Sequence, residues 1–510
     1  MSNKILCLTK FLLITLLLSC NPKTLSLNLK KQTEMEIYET SASGHKLTQL
    51  SNFKIGSVVS EINLNVEDKL QTITGFGGAF TESSAHLLNQ MSFEKKDQII
   101  NAYFSNEGAA YSLTRTHMNS CDFSLSNYSY AEVEEDIELK HFSIDHDRND
   151  LIPMIKAAQS ASKDGFKLFA SPWTASPWMK DNNSWVGGKL KPEYYKTWAL
   201  FFSKYANAYK NEGIVIWGFT VENEPMGNGN NWESMIFSPD EMTYFVQKYL
   251  GPTLESNGQE DLVILGFDQN RGDLKEWVDV MYKNEANSKY YDGTAIHWYE
   301  STYDYFPKEL QYAHQKAPNK YLIQSEACID SEVPAWKDDD WYWSKQATDW
   351  GFDWREPAKK YLHPKYAPVN RYARDIIGCL NNWVDGWVDW NMVLDRQGGP
   401  NWFKNWCVAP IIVDTELDEV YLTPLYYVMS HFSKFIRPGA HIIKVQNTDN
   451  DLMVSACKNP DDSVVVVVFN EGQSEKYFNL NLSGHTYYVS VSSQAIQTII
   501  LKNYNYEFTI

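Results

Sequence analysis

The sequence is short of positive charge. Its 46 Lys and Arg residues face 64 Asp and Glu, a formal charge of −18 at neutral pH. Such a balance repels nucleic acid and anionic membrane and suits a neutral ligand. Cysteine is scarce as well. Cys7 and Cys20 lie near the N terminus, and the other five (Cys121, Cys328, Cys379, Cys407 and Cys457) are odd in number, with no Cys-x-x-Cys spacing. This argues against a disulfide framework and a zinc site, and the five read as buried thiols. The glycines of Gly75-Phe76-Gly77-Gly78 match neither the phosphate-cradling P-loop nor the dinucleotide fingerprint. No cofactor and no metal are expected.

The apolar run at the N terminus, Phe11 to Leu18 between Lys4, Lys10 and Ser19-Cys20, is too short for a comfortable membrane span. It reads as a signal peptide over residues 1–20. Leu17-Leu18-Ser19-Cys20 resembles a bacterial lipobox, with Cys20 as the lipidated residue. The protein is therefore expected to be exported and lipid-anchored, touching membrane only through that anchor. Residues 21–50 read as a tether.

Aromatic residues are abundant, with 18 Trp and 31 Tyr among 510 residues. Most serve as core fillers, but Trp at loop ends also suits stacking against sugar faces. From Gly75 onward, β-rich runs alternate with helical ones. The runs begin near Gly75, Tyr111, Lys167, Ile214, Leu262, Gly293, Tyr321 and Gly386. Eight β-then-α units imply a parallel sheet closed into a (β/α)8 TIM barrel over residues 75–431. Residues 432–510 instead carry short strands punctuated by turns, an all-β sandwich that residues 51–74 are expected to join. Between Cys328 and Tyr372 lies a long segment with Trp336, Trp341, Trp343, Trp350 and Trp354. It reads as a wall or lid beside the seventh strand.

Two carboxylates stand out. Glu224 in Asn223-Glu224-Pro225 and Glu326 in Ser325-Glu326-Ala327-Cys328 each end an apolar β-rich run, on units four and seven. In such barrels the chemistry sits where the strands end. A pair of carboxylates there is what cleavage of a glycosidic bond requires.

Several collinear strings resemble the glucosylceramidase family, glycoside hydrolase family 30. They include Gly75-Phe76-Gly77-Gly78-Ala79-Phe80-Thr81, Ser120-Cys121-Asp122-Phe123-Ser124, Ala170-Ser171-Pro172-Trp173, Asn223-Glu224-Pro225, His297-Trp298-Tyr299, Ser325-Glu326-Ala327-Cys328 and Asp389-Trp390-Asn391. The resemblance runs from about Thr72 to the C terminus. It implies a barrel with an attached sandwich and hydrolysis of β-linked sugars with retention. Matched position by position, Glu224 takes the acid/base role and Glu326 the nucleophile role. Asp122, Trp173, Asn223, His297, Tyr299, Trp390 and Asn405 fall on sugar-pocket positions, with Arg115 in support.

The chemistry of these residue types agrees. Glu326 must be ionised to attack the anomeric carbon, so it needs donors such as Tyr299 and Arg115. Glu224 must first deliver a proton to the departing oxygen. Asn223 can hold the sugar 2-hydroxyl, Asp122 can accept from other hydroxyls (or else cap a helix), and Trp173 and Trp390 offer faces for the ring, unless they are plain core. His297 reads as a hydrogen-bonding pocket residue, because no second ligand stands at metal spacing. The sequence departs from the lysosomal glucosylceramidase pattern in two places. Met226 to Trp232 is short and polar, and the Trp-rich segment is long. Both flank the leaving-group side, so the expected substrate is a β-D-glucoside, first of all a β-1,6-linked glucan or gluco-oligosaccharide of the laminarin-branch type. Glucosylceramide is the alternative. A non-catalytic sugar-binding lipoprotein is the reading from another class, and two mutually repelling acids argue against it.

Overall fold

The computed structural model describes residues 34–51, 56–57, 60–301, 303–330 and 367–504. Residues 1–33, Cys20 among them, and the Trp-rich segment 331–365 lie outside the described residues. Eight parallel strands close on one another as β1 (Gly75–Phe80), β2 (Leu113–Met118), β3 (Lys167–Pro172), β4 (Gly218–Thr220), β5 (Val263–Asn270), β6 (Gly293–His297), β7 (Tyr321–Glu326) and β8 (Gly386–Asn391). These are the eight units expected from the alternation. An apolar cluster of Leu113, Phe169, Val263, Leu265, Ala295, Ile323 and Val388, drawn from six of the strands, fills the barrel below the site. Close strand approach sets one glycine: a Cβ on Gly77 would lie 2.0 Å from the Leu113 carbonyl oxygen.

Local chemistry explains where the elements start and where expectation and structure part. Thr81 ends β1, caps the helix Glu82–Gln90 and donates to Asn391 Oδ1 at 2.7 Å, tying the first strand end to the last. The run Ile214 to Thr220 reads as a full strand, yet only Gly218–Thr220 is one. Val215 is 72% exposed while Ile214 and Ile216 on either side are buried in the core, so the run packs without joining the ladder. The helix Pro307–Lys316 buries only Leu310 and Ala313, too few apolar residues to show a periodic stripe in the sequence.

The second unit is a nine-stranded sheet in which Ser60–Thr72 lies between His441–Asn447 and Lys476–Leu482. Two register shifts interrupt the ladder between Ser60–Thr72 and His441–Asn447. The strand Val464–Asn470 shows why five valines run together. Val464, Val466 and Val468 face the sandwich core, while Val465, Val467 and Phe469 join the large cluster shared with the barrel helices. A strand buried on both faces needs no polar alternation.

The tether expectation for residues 21–50 requires correction from residue 34 onward, residues 21–33 lying outside the described ones. Glu34–Ser41 is a strand, paired antiparallel with Ala495–Lys502 along its full length. Ile37 is fully buried in the sandwich core, and the Tyr38 ring lies 4.8 Å from that of Phe435. Residues 34–41 alternate weakly, because Glu36 and Glu39 interrupt the apolar face. Glu36 is held by Lys502 at 2.7 Å, and Glu39 accepts from Gln497 at 3.0 Å. The barrel in turn reaches the sandwich through the helix Pro424–Ser433, whose buried His431 bonds Thr498 at 2.8 Å and Thr40 at 2.9 Å.

Candidate active site

The C-terminal strand ends converge on a cavity of about 270 Å³. Asp122, Trp173, Asn223, Glu224, Tyr299, Glu326, Trp390 and Asn405 all line it. Arg115 and His297 are fully buried and reach the same groups through hydrogen bonds and charge. Every residue expected at the site is therefore brought together.

Glu326 ends β7, and both of its oxygens are engaged. Oε2 accepts from Arg115 Nη1, and Oε1 accepts from the Tyr299 hydroxyl at 2.8 Å. Burial raises this carboxyl above its ordinary range, while His297 and Arg115 pull it back. The Arg115 guanidinium is spread over four partners. It also donates to Ser171 Oγ at 2.9 Å, Asn223 Oδ1 at 2.9 Å and Asp268 Oδ2 at 2.8 Å. Arg115 therefore orients the nucleophile candidate and the amide neighbouring Glu224 with one rigid group.

Glu224 follows β4 with φ +49°, a left-handed conformation that a residue with a Cβ adopts at some cost. Its backbone N–H donates to the Asp268 carbonyl at 3.0 Å. Its Oε1 lies 3.8 Å from His297 Nδ1. His297 Nε2 donates to Asp268 Oδ1 at 2.9 Å. Burial alone would lower the imidazole pKa, but Glu326 and then Asp268 push it up to about 9. The ring is thus a cation at neutral pH, aimed from one nitrogen at Asp268 and from the other toward Glu224.

Asp268, which no sequence motif marks, is the hub of the site. It is fully buried, and against that burial Arg115 and His297 hold its carboxyl well below the usual range. Phe267 and Asp268 both have positive φ (73° and 63°), at a bulge where the β5–β6 register shifts. A bulky residue in this region marks strain that the surroundings must enforce. The bulge turns the Asp268 carbonyl to Glu224 and its side chain to the two cations. The signal that could have found it was its place: a carboxylate just past Leu262 to Phe267, at a strand end like the other two acids.

Asp122 accepts from Asn405 Nδ2 at 2.9 Å, while its Oδ1 is buried with no hydrogen-bond partner. Burial, and then the Glu326 charge, push its carboxyl well above the ordinary range. A polar atom left thus at the cavity wall suits a ligand hydroxyl. Trp173 and Trp390 differ in detail from the expectation. Their rings stack on each other at 5.1 Å and 22°, with the Arg115 guanidinium 4.9 and 5.5 Å from their centroids. They form one aromatic wall rather than two separate platforms. Around the mouth stand Asn228, Trp232, Gln269 and Asn270, none of which the sequence reading named as site residues. Glu233 ties the Asn228 to Trp232 loop to two others, accepting from Asn127 at 2.6 Å and Trp402 at 3.1 Å. Among the described residues no group of three His, Cys, Asp or Glu is placed to hold a metal ion.

Two acids in one cavity, one clamped by donors and one beside an imidazolium, are the kind of carboxyl pair that acetal cleavage requires. Comparison with known proteins gives the same class. Residues 73–436 match the model of the glycosyl hydrolase family 30 TIM-barrel domain, and residues 439–499 that of the family's beta sandwich domain. The chain belongs to glycoside hydrolase family 30. It is 35% identical over 424 residues to lysosomal acid glucosylceramidase of Mus musculus, covering 81% of this chain and 78% of that one. Among solved structures it superposes on SrfJ from Salmonella typhimurium with a TM-score of 0.81 and 30% identity, covering 92% of this chain and 99% of that one. An endo-β1,6-glucanase gives a TM-score of 0.78 at 27% identity, covering 91% and 99%. As a family 30 member the chain is a glycosidase.

Proposed function

We propose that this glycosidase hydrolyses β-D-glucosides with retention, using Glu326 as nucleophile and Glu224 as acid/base. The observation that carries the reading is the double clamp on Glu326. A carboxylate whose two oxygens are held by Arg115 and Tyr299 is aimed as a nucleophile and has little room to activate a water. In the first step Glu326 attacks the anomeric carbon while Glu224 gives its proton to the departing oxygen. In the second, Glu224 takes a proton from water, which displaces the sugar from Glu326 with a second inversion. The His297 cation offsets the charge that Glu224 gains on donating its proton. The Asn223 amide, held by Arg115 at 2.9 Å, is positioned for the 2-hydroxyl.

For the leaving group, the amide-lined mouth of Asn228, Gln269, Asn270 and Asn405 beside Trp232 favours a hydroxylated partner. We take β-1,6-linked gluco-oligosaccharides as the first substrate class. Glucosylceramide is the second reading, favoured by the 35% identity to the mouse enzyme. The lipobox at Leu17 to Cys20 supports an exported protein anchored through lipid on Cys20. Glucose release from gentio-oligosaccharides, laminarin and glucosylceramide, with Glu326→Gln as control, tests the substrate. Faster turnover of the β-1,6-linked sugars supports the first reading. Preferential ceramide release overturns it and leaves the mechanism.

A further inference from the structure

Two thiols stand inside the catalytic cavity. Cys328 follows Glu326 by two residues, and Cys407 begins the short strand Cys407–Val408. That strand pairs antiparallel with Ile329–Asp330, in the register Ile329 to Val408 and Asp330 to Cys407. The two sulfurs are 3.2 Å apart without a disulfide between them. A disulfide spans about 2.05 Å, so closure asks for a shift of only about 1.1 Å shared between two side chains. Both residues are almost wholly buried, yet both line the cavity, so a small oxidant reaches them through the substrate mouth. The other described thiols lie against different partners: Cys121 by Ser124, Cys379 by Asp375 and Cys457 by Asn459.

The pair touches the nucleophile through Tyr299. The phenol oxygen is 2.8 Å from Glu326 Oε1 and 3.6 Å from Cys328 Sγ. The phenol is the donor in both contacts, and Cys328 points its own S–H at Cys407 Sγ. We propose that Cys328 and Cys407 are a peroxide-sensitive pair whose closure to a disulfide slows the enzyme. One thiolate attacks a peroxide oxygen, the O–O bond breaks, and water leaves a sulfenic acid on sulfur. The second sulfur attacks the first, the S–S bond forms, and the sulfenic oxygen departs as water with the second thiol's proton. Two thiols lose two electrons and hydrogen peroxide becomes two waters. Closure draws the Cys328 sulfur toward Cys407 and away from the Tyr299 hydroxyl that it accepts from, loosening the Tyr299 hold on Glu326. The proposal rests on the glycosidase reading only for its rate readout.

The full chain is treated with hydrogen peroxide, alkylated, digested without reductant and analysed by peptide mass. The expected result is a Cys328–Cys407 cross-linked peptide, with kcat lowered about tenfold, a barrier change of ~1.4 kcal/mol, and both reversed by dithiothreitol. Cys407→Ser and Cys407→Ala, each compared with its own untreated rate, should show neither the cross-link nor the reversible loss. Absence of the cross-link in the unaltered protein overturns the proposal. So does a cross-link that leaves kcat unchanged, or a reversible loss that survives in both variants. Reduced protein with no activity on any glucoside, but with the cross-link formed, would tell against the functional reading and not against the thiol pair.

Discussion

Asp268 balances the charges of the cavity. Its carboxylate meets Arg115 at 2.8 Å and His297 at 2.9 Å, and none of the three is exposed to solvent. Removing one partner from a buried ion network leaves an uncompensated charge, which typically costs about 3–5 kcal/mol. Asp268→Asn should therefore unfold at markedly lower urea concentration, and a midpoint within error of the unaltered protein would contradict this. Tyr299→Phe is a gentler change. It deletes one hydrogen bond to a charged group, worth about 1.5–3 kcal/mol. We expect kcat/KM to fall roughly 10- to 150-fold with the melting temperature nearly unchanged, as steady-state kinetics and calorimetry would show. Glu224 and Glu326 were legible because short motifs mark them. Asp268 has no motif, and its reach to both cations depends on the left-handed pair Phe267 and Asp268, which the sequence does not announce.

At the scale of elements, the alternation from Gly75 exposes all eight barrel strands, because buried parallel strands carry near-continuous apolar runs. Legibility fails where an element is held by tertiary partners instead of its own pattern. The helix Pro307–Lys316 buries two side chains, and the strand Glu34–Ser41 owes its place to Ala495–Lys502 at the far end of the chain. That strand supplies a direct test. Ile37 is fully buried among Ile62, Val466, Val468 and Ile499 in the sandwich core. Ile37→Ala should lower stability by about 2–5 kcal/mol, the usual range for truncating a core aliphatic. Chemical denaturation measures it, and a change near zero would return residues 34–41 to the status of a tether. The stacked Trp173 and Trp390 pair shows a similar limit. The family resemblance marks both as site residues, but only the closed barrel turns one ring onto the other.

For the molecule as a whole, the buried charges set how stability follows pH. His297 has its folded pKa raised to about 9, so its contribution is fully present below about 6.5 and is lost as pH rises through about 9. Asp268 has its folded pKa depressed, so its contribution is present above about 4, the ordinary range of a free carboxylate, and is lost as pH falls below it. The stability gap between the unaltered protein and His297→Gln should accordingly shrink by on the order of 2–3 kcal/mol between pH 6 and pH 10. Urea unfolding at each pH measures that gap, and a constant one would mean that the imidazole is neutral in the folded protein. The central proposal is a double displacement through Glu326. The most direct test is covalent trapping. The protein is incubated with a 2-deoxy-2-fluoro-β-glucosyl donor carrying a good leaving group, digested, and its peptides weighed. One fluoroglucosyl group on Glu326, absent from Glu326→Gln, is the predicted result. A label on Glu224, or turnover with no trapped sugar and an inverted product, would contradict the account.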